Sequence, residues 1–270
     1  IDAMDYSLDV FYSRAINNPS FATKVLNQGK KSRLYLLSAF DEETPYLVPT
    51  QYESFSGVGG KSFSNIVRYQ NFINSNAQIG ILSSSRSYES GAYGNLFGVD
   101  ALFKFSDTWK FELEYFMNSN KEPIADWIKS DKKFGDYTVK LDGEKINGNA
   151  LYAEIRRETE NWRSFIQYTD LSAGFRSDNG FITGNDLKKY SFWHSYYQFP
   201  DSELLKSYRI SVRQDFEYNQ NNDLARSNLQ YYIQLLTILN TDILYNYEYN
   251  FVKTHLDAKF EDFTNHWIRL

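Results

Sequence analysis

The fold is decided by a strict alternation of side chains, which is clearest in residues 242–251, Asp242-Ile243-Leu244-Tyr245-Asn246-Tyr247-Glu248-Tyr249-Asn250-Phe251. The odd-numbered positions hold Ile, three Tyr and Phe, whereas the even-numbered positions hold Asp, Leu, Asn, Glu and Asn. Successive side chains of an extended chain point to opposite faces, so this period of two predicts a β-strand with one apolar and one polar face. A slip of one residue would exchange the faces, and the register is therefore strongly specified.

The same alternation occurs in residues 95–105, 108–118, 207–218 and 228–239. Across these segments and 242–251 the apolar phase carries no charged residue, and all the charges fall in the other phase. They are Asp100, Lys104, Lys110, Glu112, Glu114, Arg209, Arg213, Asp215, Glu217, Asp242 and Glu248. Because both signs are interleaved and unpaired buried charges are costly, we expect these charges to neutralise one another on one face of a sheet.

The strand lengths and the links between strands indicate the class of sheet. Strands of soluble sandwiches usually run about 5–6 residues, whereas these run to ten or more, which suits the roughly 9–11 residues of a tilted membrane strand. Short links at 28–32, 73–76, 106–107, 159–160, 200–204 and 240–241 alternate with longer ones at 41–61, 87–94, 119–147, 171–188, 220–226 and 252–259. Short periplasmic turns and longer extracellular loops are typical of outer-membrane barrels. We therefore predict an all-β, antiparallel up-and-down transmembrane β-barrel of the outer-membrane type, with a soluble β-rich module as the alternative.

The predicted barrel forms a single domain over residues 1–270 and has about fourteen strands. They are 6–14, 21–27, 33–40, 62–72, 77–86, 95–105, 108–118, 148–158, 161–170, 189–199, 205–219, 226–239, 242–251 and 260–270. Residues 135–142 also look like a strand, but counting them would break the up-and-down order. We place them in an external excursion over 119–147.

The composition agrees with this fold and excludes several classes of protein. Aromatic residues make up 18% of the chain, while the mean hydropathy is −0.55 and no apolar run approaches the roughly 20 residues of a transmembrane helix. The chain has no Cys, which excludes disulfides and Cys-ligated metals. A net charge of −5 argues against nucleic acid as a partner.

The sequence predicts no catalytic, metal-binding or cofactor-binding residue. The three His residues, His194, His255 and His266, are scattered without ligand spacing. The Gly-rich run 57–62 lacks the spacing of a phosphate loop. We expect a protein that is not an enzyme, with a hydrolase that uses the carboxylates of the polar phase as an alternative.

The loop 171–188 is the candidate ligand site, because aromatic residues cluster around it. We expect an ordered external loop with a tight turn at Asn179-Gly180, where Gly would supply a positive φ. Aromatic side chains there could stack on sugars, although a membrane-interface girdle explains them as well. The residues predicted to bind a ligand are Phe175, Arg176, Asp178, Asn179 and Phe181.

Several segments resemble a family of Bacteroidota outer-membrane proteins in which a carbohydrate-binding module family 9-like domain precedes a long β-barrel of unknown function. The segments that carry the resemblance are 11–14 (FYSR), 38–49 (SAFDEETPYLVP), 60–68 (GKSFSNIVR), 121–123 (KEP), 150–152 (ALY) and 175–186 (FRSDNGFITGND). The likeness extends from residue 11 to about residue 200, and the block at 175–186 is its most specific part.

The resemblance implies an outer-membrane location, lipid as a partner, and glycans or other outer-membrane proteins as possible further ones. The expected function is a transport pore or a membrane anchor for a glycan-binding domain. This chain departs from the family in lacking the carbohydrate-binding domain, in having Gly184 where the family tends to have Arg, and in its shorter barrel. It also lacks the terminal aromatic residue of many such barrels, so we expect a fragment of a longer chain.

Overall fold

A computed structural model of the chain describes residues 4, 6–130, 132–254 and 258–269. Within these ranges the secondary structure is almost entirely β, apart from one short 3-10 turn at Ser13–Ala15. The strands are β1 Pro19–Gln28, β2 Ser32–Pro49, β3 Ser54–Asn74, β4 Ala77–Tyr88, β5 Tyr93–Lys104, β6 Trp109–Lys121, β7 Ile124–Ala125, β8 Lys133–Phe134, β9 Tyr137–Thr138, β10 Leu141–Asp142, β11 Lys145–Glu158, β12 Trp162–Leu171, β13 Leu187–Gln198, β14 Leu205–Tyr218, β15 Leu224–Thr237, β16 Asp242–Val252 and β17 Glu261–Arg269.

Thirteen of these strands form one sheet, and the chain passes through it up and down. Neighbours in the sheet are consecutive in sequence, except that β6 lies beside β11. The four short strands between them form two separate pairs, β7 with β10 and β8 with β9. The predicted all-β, antiparallel up-and-down architecture is therefore confirmed. Among the described residues β1 and β17 are the two edges of the sheet, so closure into a barrel stays a prediction.

Thirteen of the fourteen predicted strands are confirmed, and the strand predicted at 6–14 is wrong. Residues 6–12 are irregular and lead into the 3-10 turn. Their backbone groups bond to a carboxylate and to a distant loop instead of to a neighbouring strand: Ser7 N donates to Glu114 Oε1 at 2.7 Å, and Tyr12 N donates to Asn179 O at 2.8 Å. Tertiary partners thus override the local alternation.

The long link predicted at 41–61 is also wrong, because most of it is strand. β2 runs to Pro49 and β3 starts at Ser54, which leaves only residues 50–53 between them. The pairing of β2 with β3 shifts register around Thr44, and this interruption hides the period of two. The predicted excursion at 119–147 is confirmed in part: the described residues of 122–144 lie outside the main sheet, whereas 119–121 belong to β6 and 145–147 to β11.

The described fold divides into two compact units. Unit 1 comprises Ile1–Phe103, Glu112–Tyr152 and Asp170–Leu187, and unit 2 comprises Lys104–Phe111, Ala153–Thr169 and Lys188–Leu270. Unit 1 has two buried apolar clusters. The first includes Val10, Ile66, Leu82, Phe116 and Phe175, and the second joins the ends of β2 and β4 to the excursion 122–144.

Each unit exposes the apolar phase of its strands and turns the polar phase the other way. In unit 1, Phe97 and Val99 are exposed while Ser84 and Glu114 are buried. In unit 2, Ile210 is 51% exposed while Ser211 and Asp215 are buried. We call these two surfaces the apolar face and the polar face of each unit.

No helix in the described parts of the chain combines the length and the apolar character that crossing a membrane requires.

Candidate functional site

The polar face of unit 1 is covered by an N-terminal segment, residues 6–18. Glu114 of β6 holds its start, because the carboxylate accepts from Ser7 N at 2.7 Å and from Leu8 N at 3.2 Å. Arg86 of β4 holds its end by donating from Nη2 to Ala15 O at 2.9 Å. Charged side chains of the strands therefore satisfy backbone groups of a segment that is not itself a strand.

A second segment, the loop 172–186, lies against the same face. Asn179 is 2% exposed and uses both ends of its amide. Its Oδ1 accepts from Ser64 Oγ at 2.9 Å, and its Nδ2 donates to Ser84 Oγ at 2.8 Å. Asp178 accepts from Asn120 Nδ2 at 2.8 Å, and burial raises its pKa. The loop is thus tied to β3, β4 and β6.

The buried charge pair of this loop is Arg176 with Glu122. Arg176 Nη1 lies 2.6 Å from Glu122 Oε1, and the two side chains are 2% and 0% exposed. Burial raises the pKa of Glu122 to about 7, while the positive charge of Arg176 opposes the rise. The pair occupies the point where the loop meets the residue that follows β6.

This pKa predicts how stability depends on pH. Between about 4.5, the ordinary value, and about 7, the folded chain holds a proton on Glu122 that the unfolded chain has released. The free energy of unfolding should therefore fall as pH rises through this window. We expect Glu122→Gln, which cannot titrate, to reduce this fall. Denaturant titrations of both proteins at pH 4.5 and 7.5 measure it, and an equal pH dependence in both would contradict the assignment.

Four of the five residues predicted to bind a ligand are engaged inside unit 1. Phe175 belongs to the first apolar cluster, and Arg176, Asp178 and Asn179 make the contacts described above. Only Phe181 is exposed, at 49%, and its ring centroid lies 5.2 Å from that of Tyr12. The structure thus gives these residues a role in packing, and ligand binding by them stays a prediction.

The turn predicted at Asn179-Gly180 exists, but the reason given for its glycine is wrong. Gly180 N donates to Ser177 O at 3.0 Å, as a tight turn requires. Gly180 does not have a positive φ. A Cβ at this position would instead lie 2.4 Å from Asp9 O, so the glycine permits the backbone of the N-terminal segment to approach.

Gly180→Ala should therefore destabilise the protein by about 1–3 kcal/mol, because the atom in the way belongs to the backbone. We also expect faster amide exchange at residues 8–12. Gly184→Ala is the matched control in the same loop, since its Cβ would meet no atom closer than 3.7 Å. Denaturant titration and hydrogen exchange measure both variants, and equal stabilities would show that the close approach is unimportant.

Three carboxylates near this loop have the arrangement of a possible cation site. One oxygen each of Glu122, Asp142 and Glu144 lies within 4.8 Å of the others. However, Glu122 already pairs with Arg176, and Glu144 Oε2 accepts from Thr138 N at 2.9 Å. A guanidinium beside the carboxylates opposes a cation, so we assign no metal to them.

Unit 2 has a cavity of about 410 Å³ on its polar face. Three arginines, three aromatic rings and two small polar side chains line it. They are Arg156, Arg209, Arg213, Phe165, Trp193, Tyr232, Ser211 and Gln230. Sequence reasoning missed this site because it treated the arginines as partners of neighbouring acids. The signal that could have revealed it is the presence of Trp193 and Tyr232 in the same phase as the charged residues.

The three arginines of the cavity differ in how far their charge is compensated. Arg156 makes two 2.8 Å bonds to Glu154, and Arg213 Nε lies 2.9 Å from Asp215 Oδ2. Arg209 has no carboxylate partner among the described residues. The uncompensated positive charge of the cavity therefore belongs to Arg209.

The surroundings of Arg209 are aromatic. Its Nη1 donates to the Tyr197 hydroxyl at 3.1 Å, and its guanidinium lies 4.2 Å from the ring centroid of Tyr232. Its Nε is buried and finds no acceptor within the described structure. A buried donor without an acceptor is costly, so the protein itself leaves the Arg209 guanidinium incompletely satisfied.

Comparison with known proteins adds no family to this description: no protein-family model matches the chain, and no curated protein matches it significantly. The fold defines an all-β protein with a large antiparallel up-and-down sheet. The resemblance to the Bacteroidota barrel family stays a prediction.

Proposed function

We propose that this chain is a membrane-embedded, non-enzymatic domain of a bacterial outer-membrane protein, with lipid acyl chains as the partner of its apolar face. The observation that carries the proposal is the exposure of large apolar side chains along the middle of long strands in both units. Examples are Val67, Tyr69, Ile79, Ile81, Phe97, Val99, Ile166, Phe192, Ile210, Tyr231, Ile233 and Tyr249. A soluble monomer rarely exposes contiguous apolar patches of this kind.

Strand length and the position of charges support the same proposal. Strands β4, β5 and β14–β16 have 11–14 residues, which is enough for a tilted crossing. Charges reappear in the apolar phase one residue from a strand end, as at Arg157, Asp170, Lys188 and Lys206. Lysine and arginine at such depths can reach the headgroup region.

The groups that fill the polar faces bear on the choice between a membrane anchor and a transport pore. In unit 1 the N-terminal segment and the loop 172–186 fill the polar face, which favours a membrane anchor over an open pore. Glu114 holds backbone amides and Asp100 holds Arg68, with Arg68 Nη2 2.8 Å from Asp100 Oδ1. Carboxylates engaged in this way are poorly placed for acid–base catalysis. A transport role is the second candidate, and the open cavity of unit 2 favours it.

The requirement for an amphiphile tests the proposal. We expect the urea-unfolded chain to regain its β circular dichroism and a cooperative unfolding transition in phosphatidylcholine vesicles. In buffer alone we expect it to aggregate. A monomer that folds cooperatively in buffer would overturn the membrane proposal and favour the soluble β-rich module.

A further inference from the structure

The cavity on the polar face of unit 2 combines features that select one class of ligand. Its volume of about 410 Å³ falls in the range of about 300–1,000 Å³ typical of small-molecule sites and suits one or two six-membered rings. Its lining residues come from β11 to β15, and no acidic side chain is among them. The cavity is therefore positively charged, and its lining residues all lie on strands of the sheet.

Arg209 is the group that an anion would contact. The guanidinium is planar and always charged, and it presents donors in a fork that matches a carboxylate. Arg156 Nε already donates to Glu154, and Arg213 Nε already donates to Asp215, so both of these guanidinium groups have a carboxylate partner. Of the three arginines that line the cavity, Arg209 is the one with a buried Nε–H that has no acceptor among the described residues, and it forms no ion pair with a described carboxylate.

The aromatic and amide groups of the same cavity would contact a ring. Trp193 and Phe165 stack on each other with ring centroids 5.5 Å apart and line the cavity together, and flat apolar groups of this kind favour the face of a sugar or an aromatic ring. Gln230 Nε2 donates to Asn246 Oδ1 at 2.6 Å, which holds the amide in place. Its amide oxygen and its second N–H suit ring hydroxyls. A bare inorganic anion would leave all of these surfaces unused.

We propose that this cavity binds an organic acid in which a carboxylate is attached to a six-membered ring, with the carboxylate on Arg209 and the ring against Trp193. A sugar acid and an aromatic acid share this chemistry. The inference does not depend on the membrane role proposed above, because it rests on contacts within unit 2 alone.

Isothermal titration of the full chain, in the medium in which it folds, tests the proposal with two matched pairs of probes. D-galacturonate is compared with neutral D-galactose, and benzoate with neutral benzyl alcohol. We expect at least one acid to bind at least tenfold more tightly than its neutral partner. The acid that binds more tightly shows whether the ligand is a sugar acid or an aromatic acid. Failure of both acids to bind, or equal binding of acid and neutral partner in both pairs, would overturn the proposal.

Single substitutions test whether the acid binds in this cavity. Arg209→Gln should weaken the acid by about 10- to 100-fold, the range of a lost charge-assisted hydrogen bond. Arg226→Gln is the control, because Arg226 lies on β15 outside the cavity; it should change binding less than twofold. Trp193→Leu should weaken binding of the acid, because it removes the ring surface, but should not change the affinity measured for inorganic phosphate, which contacts no ring. This second variant keeps the test decisive if Arg209→Gln does not fold. Equal losses for Arg209→Gln and Arg226→Gln would show that only general charge matters.

Discussion

Replacing Glu122 with alanine is expected to lower the free energy of unfolding by about 3–5 kcal/mol at pH 8, because it leaves the Arg176 charge buried without a partner. The Arg176 side chain is 2% exposed and pairs with Glu122 at 2.6 Å. Since Arg176 connects the loop 172–186 to the end of β6, we also expect this loop to become susceptible to proteolysis.

A double replacement separates two contributions to the free energy of unfolding: the destabilisation caused by an unpaired charge and the stabilisation that the ion pair itself provides. Glu122→Leu combined with Arg176→Met removes both charges and should recover most of the stability lost in Glu122→Ala, because buried ion pairs are often replaceable by apolar side chains. Denaturant titration in vesicles measures all the variants. If the double variant were as unstable as Glu122→Ala, the pair itself, and not the unpaired charge, would be what stabilises the loop.

The second large effect is expected at Tyr247, the central residue of β16. Tyr247→Arg should cost about 2–4 kcal/mol if the apolar face meets lipid at the midplane. Tyr249→Arg lies closer to the strand end, where the cost falls to about 0–1 kcal/mol and the long side chain can reach the interface. Denaturant titration of protein refolded into vesicles ranks the two variants.

Glu248→Gln is the control for these substitutions, since it lies between the two tyrosines but on the polar face. Its carboxylate accepts from Asn228 Nδ2 at 2.6 Å, and an amide oxygen can accept the same bond, so we expect a small change. A soluble protein with a dry core at this face would suffer equally from both arginine substitutions. Equal and large costs at Tyr247 and Tyr249 would therefore argue for the soluble alternative.

The strands of this protein were predictable because one physical rule governs most of them. Wherever one face is apolar and the other polar, a period of two gives both the strand and its orientation. Phe97 and Ile210 are accordingly exposed while Ser211 and Asp215 are buried. This rule depends only on residues that are close in sequence. It can therefore be applied without knowing which strands are neighbours in the sheet.

The rule fails where distant groups decide the local structure. Residues 6–14 alternate like a strand, but Glu114 and the loop 172–186 bind their backbone. The continuation of β2 beyond Asp41 was missed because register shifts interrupt the period. Neither effect can be read locally, since each depends on residues far away in sequence or on the partner strand.

The candidate sites were predictable only in part. The loop 172–186 is ordered against the strands, but its prominent side chains serve packing inside unit 1. The cavity of unit 2 was missed because pairing along one strand, as in Arg213 with Asp215 at 2.9 Å, is easily inferred. That Arg209 lies among aromatic rings, and forms no ion pair with a carboxylate of the described residues, depends on which strands are neighbours, and only the sheet order reveals this.

The most direct test of the central claim is the accessibility of nitroxide labels along β15 in lipid vesicles. The chain has no native Cys, so single Cys substitutions can be labelled without background. We expect labels at Tyr231 and Ile233, on the apolar face, to be relaxed by oxygen dissolved in lipid and shielded from a water-soluble nickel complex. Labels at Gln230 and Tyr232 should show weak relaxation by lipid oxygen. Strong relaxation by the nickel complex at Tyr231 and Ile233, or the absence of any alternation along the strand, would contradict the account.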